Sequence, residues 1–128
     1  MAHLPSQPDA SLIDVFTRWP ESSATLHAYM EELMRGDSDL SSGHRELIAA
    51  YTSALNGCEY CRASHGRAAE AFGIDPRLLE ALAGGPPERA GLDEALEPIF
   101  HLVRKLTESP AAVDAKDIEA LLDAGWSE

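Results

Sequence analysis

The sequence is poor in cysteine, in positive charge and in long apolar runs. Secreted disulfide scaffolds carry many widely spaced cysteines, whereas this chain of 128 residues has only two. Its 10 Lys and Arg are outnumbered by 22 Asp and Glu, and the resulting charge of −12 disfavours nucleic acid and anionic lipid as partners. No stretch approaches the roughly 20 apolar residues that cross a membrane. We therefore expect a cytoplasmic protein that binds neither nucleic acid nor membrane.

The start of the chain lacks the basic and apolar regions of a secretory signal, and we expect residues 1–10 to form a flexible arm. Hydrophobic residues make up 45% of the chain, which is too many for a disordered protein and enough for a hydrophobic core. The length and composition predict one domain over residues 1–128.

Apolar residues recur at helical spacing, and no convincing run alternates as in a strand. Helices are predicted over 12–19, 21–34, 44–55, 58–72, 76–84, 93–107 and 115–124. Pro98 is compatible only with the first turn of the sixth helix, so that helix can begin later than residue 93. The predicted fold class is all-α, a compact bundle of six to seven helices with Leu96, Ile99, Phe100, Val103 and Leu106 facing inward from the sixth.

The two cysteines form a CxxC motif, Cys58-Glu59-Tyr60-Cys61. A disulfide across so short a loop removes only about 2 kcal/mol of unfolded-state entropy before strain, so a structural staple explains the motif poorly. In a cytosolic protein a CxxC indicates redox chemistry or metal binding. Buried, unreactive thiols are the remaining alternative.

A histidine follows the motif in helical register. Cys58, Cys61 and His65 are spaced i, i+3 and i+7, and Ala68 and Phe72 continue the same line. This stripe is predicted to face inward. Cys58 is expected in the first turn, where free N–H groups favour a thiolate. His65, one turn beyond Cys61, could exchange a proton with it directly or through water.

Glu46 lies on the preceding predicted helix, 12 residues before Cys58. The Asn56-Gly57 turn should fold the two helices against each other. Small side chains follow Glu46 on its face, so the carboxylate is expected to reach His65; they are Ala49, Ala50 and Ser53. The alternative is that Glu46 only stabilises a helix start through the dipole. Tyr51 and Tyr60 are expected in the core or in the wall of a pocket.

The run from Arg45 to Gly66 resembles the core motif of alkylhydroperoxidase D-like proteins, in the carboxymuconolactone decarboxylase superfamily. The likeness is greatest to the peroxidase-related branch. A glutamate stands twelve positions before a CxxC, and a histidine stands four positions after its second cysteine. The motif covers about residues 45–73, and weaker likeness extends from about residue 12 to 126.

The resemblance implies an all-helical fold that forms homo-oligomers, as dimers, trimers or hexamers, and that uses no cofactor. It also implies an antioxidant thiol peroxidase: Cys61 attacks a hydroperoxide, Cys58 resolves, and His65 and Glu46 relay protons. A dithiol reductant or partner redox protein would restore the thiols. Two departures stand out. Tyr60 occupies a position where the alkylhydroperoxidases have histidine. Relatives are also expected to continue with further helices. In this protein either a partner subunit supplies that part or the fold is a shorter variant.

Other functions remain open on the sequence alone. A non-enzymatic redox sensor or disulfide carrier could use the same cysteines. A lactone decarboxylase-like enzyme of this fold is disfavoured because that chemistry needs no CxxC. A zinc site is also disfavoured, since Cys58, Cys61 and His65 on one helix surround a tetrahedral ion poorly and only Glu46 could be a fourth ligand. We therefore predict no metal.

Overall fold

The computed structural model describes residues 5–127, which form helices joined by turns and contain no β-strand. The predicted all-α class is confirmed. Residues 1–4 of the predicted arm lie outside the described residues, and residues 5–10 form turns. In chain order the helices are α1 (Leu12–Arg18), α2 (Pro20–Arg35), α3 (Ser42–Leu55), α4 (Glu59–Ala71), α5 (Pro76–Gly84), α6 (Glu97–Glu108) and α7 (Ala115–Asp123), and one-turn 3-10 helices at Pro87–Arg89 and Pro110–Ala112 flank α6.

The chain divides into two compact units, residues 1–37 and 38–128; the single domain over 1–128 stays a prediction. In the first unit α1 begins with a capping box, in which Ser11 and Asp14 bond each other's backbone N–H groups. Pro20 occupies the first turn of α2, where its missing N–H costs nothing. Phe16 of α1 packs edge-on against the ring of His27.

The second unit is built around α3, which contacts α4, α5 and α6. Its buried core comprises Leu47, Ala50, Tyr51, Ala69, Leu79, Leu82, Leu96, Ile99 and Phe100. Val103 packs against this core from one side, as predicted for α6. Leu106 was predicted to face inward and is half exposed, so that prediction is wrong. The core-facing part of α6 ends one turn earlier than the apolar periodicity indicates.

Helix α3 begins at Ser42, two residues before the predicted start, because the Ser41 hydroxyl accepts the N–H of His44 and caps the helix. Gly43 is buried there. A Cβ at this position would lie 3.0 Å from Ile74 Cγ1 and 3.2 Å from Phe72 Cβ, so glycine allows the chain after α4 to approach closely. The earlier start places Glu46 beyond the first turn of α3.

The later helices follow their caps. Helix α6 begins at Glu97 rather than residue 93, with Pro98 in its first turn, as expected from the proline. Helix α7 starts with a capping box between Asp114 and Asp117. Asp117 also accepts a hydrogen bond from Lys105 Nζ at 2.6 Å, which links α7 to α6. Among residues 5–127, none of the helices is both long and apolar enough to cross a membrane.

Candidate active site

A tight turn brings the start of α4 next to the end of α3. Gly57 adopts φ of +68°, a left-handed conformation that glycine tolerates at little cost. The Cys58 N–H donates to the Ser53 carbonyl at 2.9 Å, and this bond reverses the chain direction. The predicted hairpin of two helices is confirmed, and α3 and α4 form the most extensive helix pair of the second unit.

The sequence predicted Cys58 in the first turn of α4. In the structure Cys58 is the N-cap, the residue just before that turn. It forms a disulfide with Cys61, and the two Cα atoms are 5.4 Å apart. The Cys61 backbone N–H donates to Cys58 Sγ at a donor–sulfur distance of 3.4 Å. Both cysteines are partly buried. The pair is therefore a short-loop disulfide at a helix start, where one of its sulfurs takes the place of a capping oxygen.

Helix α4 is rotated relative to the prediction. Its buried residues are Gly66 and Ala69, whereas His65 is partly exposed and Phe72 is half exposed. The predicted inward stripe through Cys61, His65 and Phe72 is thus wrong as a core face. The buried face of α4 carries small residues, and a Cβ on Gly66 would lie 2.9 Å from Leu79 Cδ2 of α5. The dithiol and the histidine lie instead at the border between core and surface.

Glu46 and His65 form the polar contact that the sequence predicted. Glu46 Oε2 lies 2.7 Å from His65 Nδ1, and the two side chains are 4% and 32% exposed. Because a carboxylate accepts hydrogen bonds, Nδ1 carries a proton and Nε2 is left to exchange one. A buried carboxylate at this distance also fixes the orientation of the ring. Glu46 lies past the first turn of α3, so a dipole role at the helix start has little support.

The two tyrosines lie in different environments. Tyr51 is fully buried and packs against Phe100, with ring centroids 5.6 Å apart. Burial raises the pKa of the Tyr51 phenol, and the nearby Arg104 guanidinium opposes that rise. Within residues 5–127 the hydroxyl makes no hydrogen bond of good geometry. Tyr60 is 66% exposed beside the disulfide, so it is neither core nor an enclosed pocket wall.

An ion pair that the sequence reasoning missed flanks Cys61. Arg62 donates to both carboxylate oxygens of Glu59, at 2.9 Å from Nε and 2.6 Å from Nη2. The bidentate bond lowers the pKa of Glu59. The i, i+3 spacing of opposite charges was the available signal. The negative charge of Glu59, next to the two cysteines, is therefore balanced by the positive charge of Arg62.

The arrangement provides a reducible disulfide and an acid–base pair one helical turn apart. Four residues rise about 6 Å along a helix, so Cys61 and His65 lie on successive turns of one face of α4. Over residues 5–127 there is no group of three or more His, Cys, Asp or Glu side chains placed to hold a metal ion. A disulfide near a bonded imidazole and carboxylate provides groups of the kind that thiol–disulfide exchange with proton transfer uses.

Residues 20–97 match the carboxymuconolactone decarboxylase family. The chain belongs to this family. A similar solved structure is an uncharacterized peroxidase-related protein from Silicibacter sp. TM1040, with 30% identity over 91% of this chain and a TM-score of 0.83. Another is an uncharacterized peroxidase-related protein from Ralstonia eutropha JMP134, described as an alkylhydroperoxidase AhpD core, with 26% identity over 88% and a TM-score of 0.79.

This carboxymuconolactone decarboxylase family member falls in the peroxidase-related branch of the superfamily, as the motif predicted. The chain spans 61% and 59% of the length of the two solved structures. Both solved structures are therefore longer than this chain, and the further helices that were expected in relatives stay a prediction. No protein of curated function matches the chain.

Proposed function

We propose that this family member is a thiol-dependent hydroperoxide reductase that cycles through the Cys58–Cys61 disulfide. The observation that carries the proposal is the 2.7 Å contact between Glu46 of α3 and His65 of α4. His65 lies one turn beyond Cys61, the second cysteine of the disulfide, on the same helix. A structural disulfide needs no acid–base pair beside it. A peroxidatic thiol does, because the thiol must lose a proton and the leaving alkoxide must gain one.

In the oxidative half, the Cys61 thiolate attacks the terminal oxygen of a hydroperoxide. The O–O bond breaks, its electron pair goes to the alkoxide, and the His65 imidazolium supplies the proton that makes the alcohol. Cys61 is left as a sulfenic acid. The Cys58 thiolate then attacks Cys61 Sγ, the S–O bond breaks, and the departing hydroxide leaves as water after protonation. The product of this half-reaction is the disulfide that the structure contains.

In the reductive half, a dithiol restores both cysteines and becomes a disulfide itself. The balanced reaction converts one hydroperoxide and one dithiol into an alcohol, water and a disulfide. His65 exchanges protons at Nε2, because its Nδ1 is occupied by Glu46. Glu46 is a positioning residue here, since it acts on the reacting sulfur through His65.

The test measures consumption of an organic hydroperoxide with dithiothreitol as the reductant. The wild type should turn over many times, whereas Cys61→Ser and Cys58→Ser should lose turnover. Cys58→Ser should in addition retain a sulfenic acid on Cys61 that dimedone captures. Glu70→Gln, on an exposed position of the same helix, is the matched control and should behave as wild type.

Two outcomes would contradict the proposal. A wild type that oxidises once to the disulfide and then consumes no further peroxide, although dithiothreitol reduces it, acts as a sensor or disulfide carrier. An activity that survives in Cys61→Ser does not use the dithiol at all, as in the decarboxylase-like alternative.

A further inference from the structure

The two sulfurs of the disulfide have different supporting groups. Cys58 Sγ accepts the Cys61 backbone N–H at the start of the 13-residue helix α4. Cys61 lies one turn before His65, whose ring is held by the buried Glu46. The first sulfur thus has a fixed backbone donor, whereas the second belongs to a residue one turn before a side chain that can give or take a proton.

We infer that the reductant attacks the sulfur of Cys61, and that Cys58 leaves as a thiolate held by the Cys61 N–H. The inference rests on the proposed thiol cycle and specifies its reductive half. In thiol–disulfide exchange the better-stabilised thiolate leaves faster. A hydrogen bond that an N–H donates to an anion is stronger than the same bond to a neutral sulfur, and the helix dipole adds to it.

The step is balanced without a further co-reactant. The thiolate of the reductant forms a bond to Cys61 Sγ, the Cys58–Cys61 bond breaks, and its electron pair stays on Cys58. The second thiolate of the reductant then attacks the other sulfur of the reductant, which is bonded to Cys61 in this mixed disulfide. That attack releases the Cys61 thiolate, which takes a proton from the His65 imidazolium. The reductant loses two electrons and the protein disulfide gains them.

Attack at Cys58 is the alternative, and the geometry gives it less support. The negative charge would then fall on Cys61, which needs a proton from His65 to be stabilised. The mixed disulfide would then form on Cys58, at the helix cap. Cys58 Sγ would remain uncharged, so the N–H of Cys61 could not stabilise a thiolate there. In the order that we infer, the pair of His65 and Glu46 serves Cys61 in both halves of the cycle, and Cys58 works without it.

A trapping experiment on the oxidised wild-type protein distinguishes the two orders. The disulfide is exposed briefly to 2-mercaptoethanol, which has no second thiol, then quenched with acid and alkylated with N-ethylmaleimide. Both cysteines lie in the tryptic peptide 46–62, so fragment ions that break at Glu59 or Tyr60 locate each label. We expect at least about tenfold more mercaptoethanol on Cys61 than on Cys58, as one charge-assisted hydrogen bond provides. Equal labelling, or a preference for Cys58, overturns the inference.

A second measurement tests whether the acid–base pair serves only one sulfur. Iodoacetamide alkylation at neutral pH is compared in Cys58→Ser, where Cys61 remains, and in Cys61→Ser, where Cys58 remains. Adding Glu46→Gln should slow alkylation of Cys61 by about tenfold and leave that of Cys58 within about twofold. The control Glu70→Gln should slow neither. Equal slowing of both thiols by Glu46→Gln contradicts the division of roles.

The trapping result and the turnover result are independent. Labelling of Cys61 in a protein without peroxide turnover keeps this inference and removes the proposed function. Labelling of Cys58 in a protein that turns over peroxide removes the inference and keeps the function.

Discussion

Replacing Glu46 with glutamine tests the acid–base pair with the smallest structural change. The amide has nearly the volume of the carboxylate and keeps an oxygen that can accept the Nδ1–H of His65, but it carries no charge. Thermal stability should change little, because the weaker hydrogen bond of the amide is offset by the lower cost of burying a neutral side chain. Thiol oxidation should slow, because a neutral acceptor binds the Nδ1–H of His65 less strongly than a carboxylate does and orients the proton-exchanging ring less firmly.

The geometry sets the size of the effect. The contact is 2.7 Å long and the Glu46 side chain is 4% exposed, so solvent screens the charge weakly. A hydrogen bond to a charged group contributes about 1.5–3 kcal/mol, and one between neutral groups about 0.5–1.5 kcal/mol. The difference of about 1–2 kcal/mol corresponds to roughly 5- to 30-fold in rate. We expect oxidation of the reduced dithiol to slow by about tenfold near neutral pH.

The assay follows oxidation of the reduced protein by a hydroperoxide in single turnover, from pH 5 to pH 9. Glu70→Gln removes an equal charge from an exposed position of α4 and should reproduce the wild-type profile. Thermal unfolding of each variant shows whether the fold is retained. Superimposable pH profiles with equal rates for wild type and Glu46→Gln would refute the reasoning and leave Cys58, Cys61 and His65 as the only reacting groups.

Four further predictions concern stability and assembly. Gly43→Ala should cost about 1 kcal/mol because its Cβ meets Ile74 and Phe72, whereas Gly84→Ala meets nothing within 4 Å and should be neutral or stabilising in chemical denaturation. Tyr51→Phe removes a buried hydroxyl that lacks a well-formed hydrogen bond, and should change the free energy of unfolding by less than about 1 kcal/mol. A hydrogen bond from Lys105 lowers the pKa of Asp117, so this pair stabilises the fold at pH values above the ordinary carboxyl pKa. The stabilisation is lost as acid protonates Asp117. Asp117→Asn should therefore lower the melting temperature at pH 7 and much less at pH 3. Light scattering at micromolar concentration should show a homo-oligomer, because large apolar side chains of α2 and α7 are exposed, and a monomer would contradict this.

The helix pair that carries the site was predictable because its signals are local. Asn56-Gly57 marks a stop and a left-handed residue, and the structure has both there. The register that links Cys61 to His65 follows from the pitch of one helix. The contact between Glu46 and His65 joins two helices, yet it could be predicted, because the small residues after Glu46 allow the helices to pack closely.

The rotation of α4 could not be predicted from its own sequence. Cys61, His65 and Phe72 form a more apolar line than Gly66 and Ala69, so periodicity selects the wrong face for the core. What favours this face is the closeness of α5, because a Cβ at position 66 would lie 2.9 Å from Leu79 Cδ2 and would force that side chain to shift. A hydrophobicity pattern records how apolar a face is, and it does not record how near the next helix lies.

In the proposed cycle, the same rotation lets the cysteines and His65 react at the edge of a small helical unit. A fully inward stripe would have buried Cys61 and His65 and excluded both peroxide and reductant. Glycine and alanine on the core side of α4 move the reacting groups to the edge of the core, where His65 is 32% exposed while Glu46 behind it is 4% exposed. The carboxylate is thereby shielded from solvent, which strengthens its bond to the ring, while about a third of the His65 side chain remains accessible. The carboxylate of Glu46 is held by α3 and the two sulfurs by α4, so the proposed activity requires the two helices to remain packed.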